Sequence, residues 1–174
     1  MPLGPKLRCE ALQPPFRIVL VEPEIPPNTG SVARTCAATR SPLHLVEPLG
    51  FRIDDRSLKR AGIDYWHLVE VYTHPTLAAF EAEFPNARMH FLSSDASRSY
   101  READFQPGDA LVFGKESVGL PRELLAAHPD RVWGIPTSGQ VRSLNLSNAV
   151  AIVLFDALAR QDALSRTFIE PDPA

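Results

Sequence analysis

The sequence predicts an α/β fold, a mostly parallel sheet flanked by helices. Three observations predict it. Short β-branched and apolar runs recur along the chain, bounded by Gly, Pro, Asn or Asp. Segments with helical spacing or capping residues alternate with them. At 174 residues the chain has room for one core, expected over residues 16–163, with irregular tails at 1–15 and 164–174.

The first strand is Phe16-Arg17-Ile18-Val19-Leu20-Val21. Pro23, Pro26 and Pro27 follow and argue against regular structure there, so a helix is expected over about 30–38, capped by Asn28 or Thr29. Leu43-His44-Leu45-Val46 is the second strand, ended by Pro48 and Gly50. Asp54 or Asp55 caps a short basic helix ending near Gly62. A strand is expected over residues 68–72, and Pro75 starts a helix through Phe80. Strands are expected over 88–93 and 110–113. Pro121 opens a helix to Ala127, and 132–135 is the last strand. In the final helix Leu146, Ala149, Val150, Val153, Leu154, Ala157 and Leu158 recur at three- and four-residue spacing, with Ile152 and Phe155 widening the stripe. Such a stripe faces a core or a subunit interface.

Composition narrows the function classes. No apolar run approaches the roughly 20 residues that span a bilayer, and the N-terminus lacks an apolar leader segment. With only Cys9 and Cys36 there is no disulfide framework, and a reduced, cytoplasmic protein is expected. Net charge is −3, awkward for a nucleic-acid binder, but it is uneven: residues 1–60 carry nine Lys/Arg against six Asp/Glu, and the remainder nine against fifteen. The asymmetry is either surface variation or a basic face that a dimer would concentrate.

Four common chemistries fail. Glu22-Pro23-Glu24-Ile25-Pro26-Pro27-Asn28-Thr29-Gly30 follows the first strand where a dinucleotide fold needs G-x-G-x-x-G. Asp109 and Glu116 stand where a phosphate loop needs Gly and a hydroxyl residue. In Gly114-Lys115-Glu116-Ser117-Val118-Gly119 the serine is one place late for a nucleophile elbow. The five histidines include no H-x-x-x-H pair, so no metal site is expected. Cys36 lies on an apolar helix face and is expected to be a small buried hydrophobe.

Three loops are left over. In the first, Asn28 stands at a helix start with Arg34 one to two turns on. Taken alone these are a cap and a solvated arginine, although a guanidinium also suits a phosphate oxygen. The second, residues 113–121, is either a plain strand-turn-helix connector or a ligand loop, with Gly114 allowing close approach and Glu116 accepting backbone N–H bonds. The third, residues 135–148, crowds Ser143, Asn145, Ser147 and Asn148 against the most apolar helix, where one cap would suffice. That surplus suits an uncharged polar ligand.

In order, Asn28-Thr29-Gly30 with Arg34, Gly114-x-Glu116-x-x-Gly119-Leu120, and Ile135-Pro136 with Ser143-Leu144-Asn145-Leu146-Ser147-Asn148-Ala149 resemble the three motifs of the SPOUT RNA 2′-O-ribose methyltransferases. Glu22 to Gly30, and Arg60-Ala61-Gly62-Ile63-Asp64-Tyr65-Trp66, resemble the TrmL-type subgroup, which acts on the tRNA wobble position.

The resemblance implies a single SPOUT domain with a C-terminal deep trefoil knot, although true knots are rare. It implies a homodimer that binds the anticodon stem-loop of tRNA and methylates the 2′-hydroxyl of C34 or U34. S-adenosylmethionine is the implied donor, with S-adenosylhomocysteine as product and no metal. By the same likeness Arg34, Asn28, Ser143 and Asn145 are catalytic candidates, and Leu92, Gly114, Ile135 and Ser143 contact the donor. A ribosomal RNA substrate, another tRNA position, or a catalytically silent RNA-binding dimer are the alternatives.

Overall fold

The computed structural model describes residues 4–54 and 65–171. In chain order these form β1 (Lys6–Cys9), β2 (Arg17–Val21), α1 (Pro26–Thr39), β3 (Leu43–Val46), β4 (Val71–His74), α2 (Leu77–Glu83), β5 (Met89–Leu92), β6 (Ala110–Phe113), α3 (Arg122–Ala127), β7 (Val132–Trp133), α4 (Leu146–Arg160) and β8 (Thr167–Glu170). Six strands make one sheet in the order β4-β3-β2-β6-β5-β7, and every pairing in it is parallel. Parallel strands covered on both faces need uninterrupted apolar sequence. β3, β5 and β6 are accordingly buried at all positions.

Two apolar layers sandwich the sheet. Ile18, Leu20, Leu43, Leu45, Leu92, Leu111 and Phe113 meet Val32, Ala33 and Cys36 of α1 and Val150, Val153, Leu154 and Ala157 of α4. On the other face Val19, Val21, Phe91 and Val112 meet Phe80 and Leu77 of α2 and Leu124 and Leu125 of α3. Cys36 is fully buried, as its place on the apolar face requires, and burial pushes its thiol pKa up.

Several boundaries differ from the sequence reading. α1 begins at Pro26, and the two prolines fill its first turn, where no intrahelical N–H is needed and the fixed φ already suits a helix. Ile25 is the N-cap, without a side-chain cap bond. Asn28 and Thr29 therefore lie inside the helix. Residues 66–68 form a 3-10 turn and the strand expected at 68–72 starts at Val71. β7 stops at Trp133 rather than 135. The basic helix expected up to Gly62 falls outside the described residues beyond Asp54.

The tails, expected to be irregular, contain a paired ribbon. β1 and β8 run antiparallel, with Lys6 opposite Glu170 and Cys9 opposite Thr167. All eight residues are exposed, so neither segment carries the burial pattern that marks a strand, and partners so far apart in sequence have no local turn signal.

A buried polar relay ties β2, β3 and β4 to α2. Arginine only donates, so the Arg17 guanidinium, 3.3 Å from His44 Nε2, donates to it. His44 Nδ1–H then donates to His74 Nε2 at 3.0 Å, and His74 Nδ1–H faces Glu83 Oε2 at 3.3 Å. Burial, then the Arg17 charge, then His74 hold the His44 pKa down at about 3. Burial likewise lowers His74, although Glu83 opposes the shift. The folded state thus binds fewer protons than the unfolded chain between the ordinary histidine range and pH 3. The neutral relay is fully stabilising above about pH 6.5 and loses that stability as pH falls. Denaturant unfolding should show stability dropping by up to about 1.4 kcal/mol per pH unit below 6.5 from His44, and His44→Leu should flatten the slope. A wild-type profile flat from pH 6.5 to 5 would contradict this assignment.

Candidate active site

The C-terminal ends of β2, β5, β6 and β7 open onto one cleft of about 1050 Å³. Ligands of open α/β sheets bind at this edge. Its floor follows from strand register. Leu20, Phe113, Leu92 and Trp133 stand side by side across four strands, and the last three line the cleft together with Ile135. Its rim is polar: Ser93, Ser94, Asp95, Thr137, Ser143 and Asn145, with the charged Glu22, Lys115, Glu116, Arg122 and Arg142 around them. An apolar floor beneath hydroxyl, amide and charged groups suits a small molecule with an apolar part and a polar tail, and the volume lies at the upper end of small-molecule sites.

One carboxylate organises the rim. Glu116, in the loop after β6, accepts the backbone N–H groups of Glu24 (2.8 Å) and Ile25 (3.2 Å) and the Asn28 side-chain amide (3.1 Å). It therefore does for the start of α1 what no local side chain does, satisfying donors there and placing negative charge at a helix N-terminus. Asn28 Oδ1 accepts from Asn145 Nδ2 at 3.0 Å. Asn145 Oδ1 in turn accepts from the N–H groups of Ser147 (2.9 Å) and Asn148 (3.4 Å), capping α4. A continuous chain of hydrogen bonds thus runs from the β6 loop through the start of α1 to the start of α4.

The reverse contacts lock the same loops. Glu24 accepts Ser117 N and Ser117 Oγ, both at 3.0 Å, and these bonds hold its carboxyl pKa below the usual range. Lys115 Nζ donates to Glu22 Oε2 at 2.8 Å, which raises the Lys115 pKa. Arg142 Nη2 donates to the Ser117 carbonyl at 3.1 Å, bringing the third loop over the second.

The model of the SpoU rRNA Methylase family matches residues 15–155. The chain belongs to this family. A tRNA (cytidine(34)-2'-O)-methyltransferase of Acidovorax sp. (strain JS42) is 46% identical over 162 residues, spanning 91% of this chain and 99% of that protein. One of the same name from Burkholderia ambifaria is 48% identical over 145 residues, 82% of this chain and 93% of that one. A solved structure described as "Structural insights into the 2-OH methylation of C/U34 on tRNA" superimposes with a TM-score of 0.79 at 46% identity, covering 84% of this chain and 96% of that chain.

In this SpoU family member the cleft gathers most of the residues singled out by sequence. Asn28, Leu92, Gly114, Ile135, Ser143 and Asn145 all line it. Arg34 does not: it is exposed, with its guanidinium 4.7 Å from the centroid of the Tyr65 ring. Glu116 accepts backbone N–H groups as its position suggested, but from residues some ninety positions away. Sequence reasoning missed Glu22, Glu24, Lys115, Arg142 and Trp133. Two acids among three prolines were a usable signal that the segment needs distant partners.

Gly114 also has a structural role in the loop after β6. A Cβ there would lie 2.2 Å from Gly119 C and Leu120 N, so the glycine lets the loop close on itself. Gly119 has φ +73° but open space around a Cβ. Gly114→Ala should therefore destabilise by about 3 kcal/mol or more through backbone overlap, and Gly119→Ala by only about 1–2 kcal/mol through its left-handed φ. Equal losses in denaturant unfolding would show that the overlap does not govern this loop.

Proposed function

We propose that the chain transfers a methyl group from S-adenosylmethionine to the ribose 2′-hydroxyl of the wobble nucleotide, C34 or U34, of tRNA. The observation that carries this is one cleft bordered by the loops after β5, β6 and β7, with an apolar floor and a polar rim. The two relatives named for cytidine-34 methylation, matching more than nine-tenths of their own length, support the choice of substrate.

Leu92, Gly114 and Ile135 border the floor, and Ser143 the rim; these residues hold the donor. The donor supplies an electrophilic methyl on a sulfonium. Asn28 and Asn145, fixed by Glu116 and by the α4 N-terminus, keep the polar end rigid and orient the ribose. Such preorganisation replaces mobile water with fixed dipoles. A 2′-hydroxyl is a weak nucleophile that must lose its proton as the bond forms. Arg34 offers donors only, so its role is to grip the adjacent phosphate, while a phosphate oxygen shares the proton.

The chain acts as a cytoplasmic homodimer. Ile152 and Phe155 of α4, 40% and 43% exposed on the side of the helix away from the core, give an apolar surface for the second copy, and Arg34, lying outside its own cleft lining, then reaches a ribose held between subunits. The C-terminal threading expected of SPOUT proteins belongs to the same proposal. Among the described residues no helix is long and apolar enough to cross a membrane.

Incubation of the purified chain with unmodified tRNA transcripts and S-adenosylmethionine, followed by nucleoside mass spectrometry, should yield 2′-O-methylcytidine or 2′-O-methyluridine at position 34. Methylation elsewhere, or of ribosomal RNA alone, would overturn the substrate assignment. Arg34→Ala should lower turnover by about 100-fold or more while calorimetric donor affinity stays unchanged. Undiminished turnover would remove Arg34 from the reaction.

A further inference from the structure

A second polar array rises along the α1–α4 face of the sheet to the cleft from below, and the proposed reaction assigns no role to Asp109 or His90 in it. Its lower end is Asp109, just before β6. Asp109 Oδ2 accepts from Arg88 Nη2 (2.9 Å) and Nε (3.3 Å), from the Gln106 N–H (2.9 Å) and from His90 Nε2 (2.9 Å). Burial alone would raise the Asp109 pKa, but the hydrogen bonds from His90, Arg88 and Gln106 outweigh it and hold the carboxyl below its usual range. Its upper end is Trp133, whose Nε1–H donates to His90 Nδ1 at 3.1 Å.

These bonds determine the histidine tautomer. Indole N–H can only donate, so Nδ1 of His90 accepts and its proton sits on Nε2, where the carboxylate takes it. His90 is 2% exposed and lies beside Leu111 in the row below Leu92 and Phe113, with Phe105 edge-on at 4.9 Å. A leucine would suit that apolar setting. What the imidazole adds is an acceptor at one fixed point under the cleft. Trp133 is held from a second direction by Arg98, whose guanidinium is 4.2 Å from the ring centroid. Its carbonyl accepts the Ser93 N–H at 2.9 Å, so Trp133 also anchors the loop after β5.

We infer that His90 is a positioning residue for the methyl donor: by accepting the Trp133 indole N–H, it fixes the aromatic part of the floor on which the donor's purine rests, with Asp109 fixing His90 in turn. The inference rests on the donor-binding reading of the cleft. Loss of the acceptor leaves a buried indole N–H without a partner, a state that favours another rotamer. Ser143, Asn145 and Arg34 lie on other segments, so the loss falls on donor affinity and not on the chemical step.

The protein has two tryptophans, so a Trp66→Phe parent leaves Trp133 as the reporter. S-adenosylmethionine is titrated into this parent by calorimetry and by indole fluorescence, alongside kcat and KM. His90→Leu should shift the Trp133 emission before ligand is added and weaken donor binding about tenfold, with kcat within about twofold of the parent. His90→Asn, whose amide oxygen stands near the lost Nδ1, should recover most of the affinity although it gives up Asp109. In a Trp133→Phe background, His90→Leu should add less than about a further twofold, because the two residues act as one unit. Equal losses in His90→Leu and His90→Asn, unchanged affinity in both, or a fall in kcat alone would each overturn the inference. A parent that binds no donor overturns the donor-binding reading itself, whereas a parent that binds while the His90 variants bind equally well overturns only the role of His90.

Discussion

Glu116 links three segments that the chain keeps far apart. The start of α1 has prolines at its first positions and no local cap, so donors there depend on a carboxylate from the loop after β6. The same carboxylate takes the Asn28 amide, and Asn28 takes the Asn145 amide. A buried or half-buried network is worth having only when its members are satisfied together. The consequence is that the cleft rim is tied together as one hydrogen-bonded network.

The sheet supplies the rest of the constraint. Parallel strands place their C-terminal ends along one edge, and register aligns Leu20, Phe113, Leu92 and Trp133 there. An apolar floor is therefore a by-product of core packing, the upper row of the layer that meets α1 and α4. The loop after β6 turns back so tightly that Gly119 and Leu120 occupy the space of a Gly114 side chain. Floor, rim and folded loop together leave a cleft matched to a ligand with a flat apolar part and a polar tail, which is the shape of the donor proposed here.

The strands β2, β3, β5 and β6 were legible in the sequence because strands buried on both faces are continuous apolar runs bounded by breakers. α4 was legible because its stripe is long and periodic. The start of α1 was not, since prolines signal a break unless they fall in the first helical turn, and position within a helix is not visible locally. The β1–β8 ribbon has no burial pattern and joins the two ends of the chain, so nothing local announced it. The cleft residues Asn28, Gly114, Ile135, Ser143 and Asn145 were found through the likeness to a family, with Glu116 foreseen as an acceptor. Their partners were not found, because Glu22, Glu24 and Lys115 become paired only when loops some ninety residues apart meet. Sheet order, and the placing of Arg34 against Tyr65, depend on tertiary packing alone.

Amide hydrogen exchange with and without S-adenosylmethionine tests most directly whether three separate loops form one donor site. The account predicts that saturating donor slows exchange together in residues 93–95, 114–120 and 134–148, and leaves the β1–β8 ribbon unaffected. Protection confined to one of those loops, or absent from all three while binding is observed, would contradict it.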